Sequence, residues 1–560
     1  MKTKLYTTSL LVLALTFARM SFATDTIPSG SFLVNMGVSP QTVGNGLKPY
    51  GMIYQIMKEH HVPVYWVINQ TKSKDGIDLV HNGIQYRGGV FIIPANFRTT
   101  EVNETITAWV AQGVVGNASV TPIITDVYKK MYFAPRWTIE KYNGQLILPY
   151  FKNAGIPADA YGGDSISDWK DAASIDDCDD IFVMPHADPT WATHQALYYW
   201  NKNNKGNIWA GCHGVSAMES LKSPDGTIGM NFLTTNGLVP SNKHKKESTP
   251  PFSYSDPTNP IMQFVGTLDG ATLNGSERIF LPSLNSEWRS TTTTSVYDLT
   301  DRFIPSLSNG PGAVVAYGRA FGDATRGHIM YQSGHDLMES GTVAEQVAAQ
   351  RAFFNYSFFV AADRYSAFDV SLTGLPEVIP NHLPVTLQFN VPSFVNLANY
   401  TVNWTTTGTG TFSQTSNPRE IVYTPGVGEL GVVVINVSLT DGCSRSVGTS
   451  QATYATSILA SGNTQRPGYS SNRGPQEASL IIVQNPVVTN LTAVYTAPSA
   501  STVDAVITDA EGKLIRRKSV FVSKGKNTLN LATRNELNTG VYFLKLQQGT
   551  NSFVKKIIVK

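Results

Sequence analysis

The chain has 560 residues, of which 42% are hydrophobic and 15% are charged, and its formal net charge is +2. At roughly 150 residues per domain, this length predicts about three to four domains with buried cores. The near-neutral charge and the lack of a basic stripe argue against nucleic acid as a partner.

Residues 1–23 predict a secretory signal peptide. Two lysines lie within residues 2–4, residues 10–17 are apolar, and residues 21–23 form a small-x-small cleavage signal. The apolar stretch is shorter than the ~20 residues that span a bilayer. We therefore expect export, a mature chain that starts near Thr24, and no membrane span in it.

Residues 24–364 predict an α/β domain with its core at about 131–364. Apolar strand patterns such as "SFLVNMG", "VPVYWVIN", "GGVFIIPANF" and "DDIFVMPHAD" alternate with helical apolar spacing. This alternation predicts a doubly wound, mostly parallel sheet, flavodoxin-like, with helices on both faces. Residues 222–302 are rich in Ser, Thr, Asn and Pro, and they predict long inserted loops that shape a pocket rim.

The chain has three cysteines, Cys178, Cys212 and Cys443, which is few for an exported protein. Disulfides are therefore not expected to be the main source of stability, and the odd number leaves at least one thiol free unless two chains are linked. A disulfide between Cys178 and Cys212 is an alternative at this point, and it would prevent Cys212 from acting as a nucleophile. Cys178 lies in the acidic run 176–180, which predicts a solvated turn before a strand.

Cys212 lies in "GNIWAGCHGVSAMESL", where an apolar strand pattern gives way to a helical one. A helix start favours the thiolate form of a cysteine, and the thiolate is the nucleophile. Gly211 and Gly214 allow a sharp turn, and the His213 N–H is placed to face a developing oxyanion. The alternative is that Cys212 is only a small residue that fills a tight turn.

Three predicted strands end in histidine, at His186, His213 and His335. If these strands are parallel, their histidines gather at one edge of the sheet, where ligands bind in doubly wound folds. Asp188 and Asp336 lie beside them and can orient an imidazole. The histidines are of the type that binds zinc, but no HxH or HExxH spacing supports a metal, so we expect no metal and no cofactor.

The remainder of the chain predicts two small all-β domains. Residues 365–458 alternate apolar and polar residues between Gly, Pro and Asn turns, which resembles an immunoglobulin-like or PKD-like β-sandwich. Residues 459–479 form a Ser/Gly/Pro/Asn-rich linker. Residues 480–560 predict a second sandwich of short strands.

The last module carries a more specific pattern, in which Asn485-Pro486 precedes an Asp509-x-x-Gly512 turn, a Leu537-x-x-Gly540 motif and a basic final strand. These motifs resemble the C-terminal sorting domain of the type 9 secretion system; an ordinary β-module is the alternative. The resemblance implies export across the outer membrane of a Bacteroidota-type bacterium and the secretion machinery as a partner. It implies nothing about chemistry.

Residues 131–364 resemble the class I glutamine-amidotransferase-like superfamily, including its ThuA and DJ-1/PfpI types, on the units "DDIFVMPHADPTWATHQALYYWNKNNKGNIWAGCHG" and "AVVAYGRAFGDATRGHIMYQSGHD". The resemblance implies that Cys212 is the nucleophile and His335 its base. The pattern departs from the superfamily in two places. Leu337 stands where an acid is usual, leaving Asp336 as the acid, and the strand before the elbow ends in residues 185–188 rather than in a glycine pair.

These observations predict a secreted or surface protein that is exported through the periplasm. The first hypothesis is a cysteine-dependent hydrolase of an extracellular amide, ester or glycan-derived substrate, with Cys212 as nucleophile, His335 as base, Asp336 as its partner and the His213 N–H at the oxyanion. His186 and Asp188 are expected to contact the substrate. The second hypothesis is an inactive module that binds polysaccharide or peptide in the same cleft. A structural adhesin is the third, favoured if residues 222–302 fill that cleft.

Overall fold

The fold is that of a computed structural model, which describes residues 25–244, 248–298, 306–308, 312–364, 370–373, 378–380, 383–393, 395–429, 431–457, 479–482, 487, 491–497, 499–509, 513–523, 525–533, 536–548 and 551–559. The predicted signal peptide and nearly all of the predicted linker lie outside these residues. The chain divides into two compact units, Met1–Ser461 and Gly462–Lys560. Among the described residues, no helix is long and apolar enough to cross a membrane.

The first unit combines strands and helices over its first 364 residues, and its described residues beyond them form strands and one helical turn. The strands that the structure describes there are β1 (Asp25–Ile27), β2 (Phe32–Val34), β3 (Val64–Val67), β4 (Ile77–His81), β5 (Ile84–Arg87), β6 (Val90–Ile93), β7 (Gly116–Ala118), β8 (Ile123–Thr125), β9 (Lys129–Met131), β10 (Trp137–Ile139), β11 (Ile181–Met184), β12 (Asn207–Gly211), β13 (Ser253–Tyr254), β14 (Thr293–Tyr297), β15 (Ala313–Arg319), β16 (His328–Gln332), β17 (Ser371–Thr373), β18 (Val378–Pro380), β19 (Val385–Asn390), β20 (Thr401–Thr406), β21 (Thr411–Gln414), β22 (Glu420–Thr424), β23 (Gly431–Thr440) and β24 (Ser446–Ser457).

The helices lie mainly between the strands of the first 364 residues. The α-helices are α1 (Lys48–Glu59), α2 (Thr100–Val110), α3 (Leu148–Ala154), α4 (Trp191–Asn204), α5 (Gly214–Glu219), α6 (Ser241–His244) and α7 (Val343–Arg364). Single turns of tighter or wider helix occur at Val43–Leu47, Ala95–Phe97, Gly144–Ile147, Ala158–Ala160, Ile166–Asp168, Ala172–Ser174, Pro260–Met262, Gly270–Thr272, Ala320–Gly322 and Leu397–Asn399.

A seven-stranded sheet of order β10-β11-β12-β16-β15-β14-β13 positions the predicted site. Its first four strands pair in parallel, and α4 joins β11 to β12. The strands β15, β14 and β13 are antiparallel to their neighbours. Because the link from β15 to β16 is too short for a helical crossover, these two strands must run in opposite directions. The expected mostly parallel sheet is therefore a mixed sheet.

The N-terminal strands differ further from the expectation. Three of the four strand patterns quoted for the parallel sheet form β2, β3 and β6 instead. These strands lie in a separate sheet of order β7-β2-β6-β3-β9 whose pairs are all antiparallel. A sequence signal for antiparallel pairing was present only in the neighbouring hairpin of β4 and β5. Asn82 and Gly83, both at positive φ, turn β4 back onto β5, and Asn-Gly is the strongest hairpin signal.

The helix α7 packs in a core that includes side chains of both sheets. Fully buried Arg351 of α7 donates hydrogen bonds to the carbonyls of Met36, Gly88 and Gln263. These bonds satisfy backbone groups of three separate segments and fix α7 between them. The predicted loops at 222–302 are also more ordered than expected, because β13 and β14 extend the mixed sheet at its edge.

Beyond α7, the first unit contains two four-stranded sheets, β17-β19-β22-β21 and β18-β24-β23-β20. Their facing apolar side chains form small cores around Trp404, as expected for a β-sandwich. A disulfide between Cys178 and Cys443 ties this sandwich to the residues before β11. The alternative Cys178–Cys212 bridge is therefore wrong, and Cys212 is a free cysteine.

The second unit is all β. Its described strands are β25 (Ser479–Ile482), β26 (Leu491–Ala497), β27 (Ser501–Asp509), β28 (Leu514–Val522), β29 (Gly525–Ala532), β30 (Gly540–Gln548) and β31 (Asn551–Val559). They form sheets of order β25-β26-β29 and β28-β27-β30-β31, whose inward side chains share one core. The predicted turn at residues 485–486 lies outside the described residues.

Candidate active site at the carboxyl end of the mixed sheet

Cys212 occupies a strained elbow between β12 and α5. Its φ is +48°, in the left-handed region that residues other than glycine rarely adopt. A Cβ added to Gly211 would lie 2.8 Å from the Pro185 carbonyl oxygen, and one added to Gly214 would lie 3.2 Å from the Ala187 N–H nitrogen. The glycines on either side of the Cys-His pair are therefore needed because this turn packs directly against the segment after β11.

The Cys212 side chain is buried, yet its surroundings favour the thiolate. Burial raises the pKa of the thiol, but hydrogen bonds from His186, His213 and Ser276 and from the Glu277 backbone outweigh it and lower the pKa to about 4. The Ser276 hydroxyl oxygen lies 3.3 Å from the sulfur. Hydrogen bonds to a charged form stabilise that form, so the site holds the sulfur as an anion at neutral pH.

His213 is the imidazole partner of this thiolate. Its hydrogen bond with Cys212 raises the pKa of the imidazole, burial lowers it, and the charges of the thiolate and Asp188 raise it further. The ring is held at both nitrogens, with Nδ1 3.0 Å from the Ser276 hydroxyl oxygen and Nε2 3.0 Å from Asp188 Oδ1. A carboxylate that holds one imidazole nitrogen directs the other toward the nucleophile.

Two further imidazoles complete the cluster. The His186 ring packs edge-on against His213 at a centroid distance of 4.1 Å, and His335 packs against His186 at 4.3 Å. The loop that carries His335 is fixed by Asn274, whose side-chain oxygen accepts the backbone N–H groups of His335 and Asp336 at 2.5 and 2.8 Å. His335 therefore joins the cluster by packing its ring against that of His186.

Residues 275–277 cover the sulfur. A Cβ on Gly275 would lie 2.4 Å from His335 Cβ and 3.0 Å from Cys212 Sγ. The Glu277 side chain is fully buried beneath this segment, accepts the Ser216 hydroxyl at 2.8 Å and lies 3.0 Å from His244 Nε2. Burial raises the pKa of the Glu277 carboxyl to about 7.

The structure brings together five of the six side chains predicted for the site: Cys212, His213, His186, His335 and Asp188. The sixth, Asp336, turns to its own loop, where its carboxylate accepts the Met338 N–H at 2.9 Å. Asp188, predicted to orient an imidazole and to contact substrate, lies 3.0 Å from His213 Nε2, and the His213 ring lies in the cluster as well as its backbone. Ser276 and Glu277 were not predicted, because they follow Cys212 by more than 60 residues in a region without periodicity.

A family model for the secretion system C-terminal sorting domain matches residues 484–560. The match confirms the resemblance of the last module to the type 9 sorting domain. The chain is therefore exported and then secreted or attached to the cell surface, and its last module interacts with the type 9 secretion machinery.

Solved structures similar to parts of the chain include dimeric latent PorU from Porphyromonas gingivalis, with 12% identity and a TM-score of 0.14 over 44% of this chain and 24% of that one. The fibronectin(III)-like modules of Clostridium thermocellum CbhA match with 12% identity and a TM-score of 0.15 over 34% and 94%. The adhesin InvE of Yersinia pseudotuberculosis matches with 12% identity and a TM-score of 0.13 over 34% and 58%. This chain thus spans about a quarter of the PorU structure, and no curated protein matches it significantly.

Proposed function

We propose that the exported chain is a cysteine-dependent hydrolase that cleaves an extracellular amide or ester. The observation that carries the proposal is the thiolate–imidazole pair of Cys212 and His213, with Asp188 behind the imidazole, at a strained strand-to-helix elbow. A buried thiol with a strongly lowered pKa is characteristic of a nucleophile. The resemblance to the amidotransferase-like superfamily is consistent with this chemistry and stays a prediction.

In the proposed reaction, the Cys212 thiolate attacks the carbonyl carbon and the carbonyl π bond becomes an oxyanion. The imidazolium of His213 gives its proton to the leaving amine or alcohol as the carbon–nitrogen or carbon–oxygen bond breaks, which leaves a thioester. Neutral His213 then takes a proton from water, the hydroxide attacks the thioester, and the acid and the thiolate are released. The backbone N–H of His213 remains the proposed donor to the oxyanion.

The sequence predicts His335 as the base, whereas the contacts support His213. His213 hydrogen-bonds the sulfur and is held by a carboxylate, while the ring contact of His335 is with His186. We therefore assign His335 a positioning role, in which it supports His186 beside the thiolate. Because Gly275 and Ser276 cover the sulfur, a substrate must displace this segment before its carbonyl reaches Cys212.

The second candidate is the structural adhesin, a surface module that performs no chemistry. The observation in its favour is the cover itself, because residues 275–277 come from the inserted region and close over the elbow. In this alternative, Cys212 and the histidines are a buried polar network that fixes the end of the sheet and performs no chemistry.

Acylation of Cys212 separates the two candidates. The full chain is incubated with p-nitrophenyl acetate, and release of nitrophenolate is followed together with the mass of the Cys212 peptide. A hydrolase acetylates Cys212 and then turns over, and His213→Ala slows turnover by about 10²–10⁴-fold, the range of general acid–base catalysis. His335→Ala is expected to have a smaller effect.

Cys212→Ser is the matched control for acylation elsewhere on the chain. Acetylation at the rate of an ordinary thiol, or an acetyl group that stays on Cys212, contradicts the hydrolase and favours the structural adhesin. An equal loss of turnover rate in the His213→Ala and His335→Ala variants contradicts the assignment of His213 as the base.

A further inference from the structure

The ligand atoms of His186, Cys212 and His213 form a compact triangle. One nitrogen from each imidazole and the cysteine sulfur all lie within 4.8 Å of one another. A tetrahedral zinc ion, with Zn–N of about 2.0–2.1 Å and Zn–S of about 2.3 Å, places such atoms ~3.3–3.6 Å apart. The two atoms of each ligand pair therefore need to approach each other by no more than ~1.5 Å, which rotation of the two imidazole rings can supply.

The contact that the other ring nitrogen of His213 makes is the one expected of a metal-binding imidazole. Imidazoles that bind a metal usually give their other ring nitrogen to a carboxylate, which fixes the ring and makes it a better donor. His213 Nε2 lies 3.0 Å from Asp188 Oδ1, so Nδ1 is left for the interior of the site. The Ser276 hydroxyl oxygen lies 3.0 Å from this Nδ1 and 3.3 Å from the Cys212 sulfur, between the two atoms that a metal ion would join.

His186 supplies an independent signal. Its Nδ1 atom is buried and has no hydrogen-bond partner among the residues that the structure describes. A buried polar atom without a partner has lost its hydration with no hydrogen bond in return, so such an atom calls for an explanation. A metal ion bound at this cluster, where one nitrogen of His186 lies within 4.8 Å of ligand atoms of Cys212 and His213, would supply a partner for an unsatisfied nitrogen of His186.

We propose that His186, Cys212 and His213 bind one zinc ion. Thiolate and imidazole ligands favour Zn²⁺ over Ca²⁺ or Mg²⁺, which prefer oxygen ligands. One thiolate, two neutral imidazoles and the nearby Asp188 carboxylate balance the charge of the ion, and water or the Ser276 hydroxyl takes the fourth position. The proposal stands on ligand geometry and does not require catalysis. If Cys212 is also a nucleophile, bound zinc holds the electron pair that it needs and keeps the site inactive.

Cobalt is the spectroscopic probe of this site. Co²⁺ takes the geometry of zinc, and a thiolate–Co²⁺ bond gives a near-ultraviolet charge-transfer band. Cys178 and Cys443 are joined in a disulfide, so a thiolate band must come from Cys212. Titration of the full chain, after treatment with EDTA, is expected to saturate at one Co²⁺ per chain, and equimolar Zn²⁺ is expected to displace it.

Variants distinguish Co²⁺ binding at this site from adventitious binding elsewhere on the chain. Cys212→Ser is expected to abolish the band, His186→Ala to weaken affinity at least tenfold, and Asp188→Asn to weaken it about 10–100-fold, the usual effect of losing such a carboxylate. His60→Ala, which removes a half-buried histidine outside the cluster, is expected to change nothing. Circular dichroism of each variant shows whether it has folded.

The absence of a band, a band that survives Cys212→Ser, or an affinity unaffected by His186→Ala in folded protein overturns the proposal. Acylation of Cys212 is measured separately on the EDTA-treated chain. A chain that acylates but gives no band contradicts only the zinc site, and a chain that gives the band but never turns over contradicts only the hydrolase.

Discussion

The side chains around the amino ends of β11 and β12 differ in kind from those around their carboxyl ends. At the amino end, Asp180 is fully buried with its Oδ1 3.1 Å from Arg364 Nη1 and 3.0 Å from Arg445 Nη1, and the Cys178–Cys443 disulfide lies beside it. At the carboxyl end, Cys212 has a strained backbone and a thiolate. Charged groups at the first end are paired and lie beside a cross-link, whereas those at the second surround a free cysteine. The amino end therefore stabilises the fold, and the carboxyl end is the place of the proposed chemistry.

The largest effect is expected at Asp180. Asp180→Asn removes the carboxylate that Arg364 contacts and one of the two that Arg445 contacts, the other being Asp441, and breaking a buried ion pair costs about 3–5 kcal/mol. Urea unfolding measures the loss of stability. The rate of Cys212 alkylation in the folded variant is expected to stay unchanged, and a fall in that rate would mean that the two ends are coupled. Asp188→Asn, at a side chain that is 71% exposed, is the control, with little effect on unfolding.

Removal of the disulfide is the next test. Cys178→Ser with Cys443→Ser opens a link between residues 265 positions apart, and loss of a native disulfide typically lowers the free energy of unfolding by about 2–5 kcal/mol. The urea midpoint is expected to fall while Cys212 remains the labelled thiol. An unchanged midpoint would show that the disulfide does not stabilise the amino end.

Gly275→Ala tests the cover over the sulfur. Alanine at φ +80° carries backbone strain of ~1–2 kcal/mol, and its Cβ would meet His335 Cβ at 2.4 Å. We expect a small loss of stability and faster alkylation of Cys212, because the segment must move away. Gly83→Ala is a matched control, since it has φ +75° and meets nothing within 4 Å. Equal alkylation rates in both variants would mean that Gly275 does not limit access.

The smallest effect is expected from Asp188→Asn on reactivity. The carboxylate is largely exposed, and exposed ion pairs are worth about 0.2–1 kcal/mol, which shifts the pKa of Cys212 too little to change its ionisation at pH 6. Alkylation at pH 6 is therefore expected to slow by less than about twofold. A kinetic comparison with iodoacetamide at low and high salt measures the effect, which salt is expected to reduce. A loss of 100-fold would assign Asp188 a larger role than orientation of His213.

The elbow itself was predictable from sequence, because the glycines around Cys212 and His213 stand between an apolar strand and a helical pattern. The gathering of the histidines was also predictable, since β11, β12 and β16 are parallel and end at the same edge. Which residues of the insert cover the sulfur was not predictable. Residues 274–277 are held by hydrogen bonds to residues far away in the sequence, and such bonds produce no periodic pattern.

Two features of the fold were misread for physical reasons. Buried antiparallel strands are as uniformly apolar as parallel ones, so β2, β3 and β6 gave no sign of their pairing. Asp180 was read as part of a solvated turn, because its partners Arg364 and Arg445 lie far away along the chain.

The pH dependence of Cys212 alkylation tests the central claim most directly. A thiol with a pKa lowered to about 4 is ionised throughout the neutral range, so the rate is expected to be flat from pH 5 to 8 and to fall only as the pH approaches 4. The full chain is labelled with iodoacetamide, and Cys212→Ser gives the background. A rate that rises with pH to a midpoint near 8.5, the value of a free thiol, would contradict the activated thiolate at this end of the sheet.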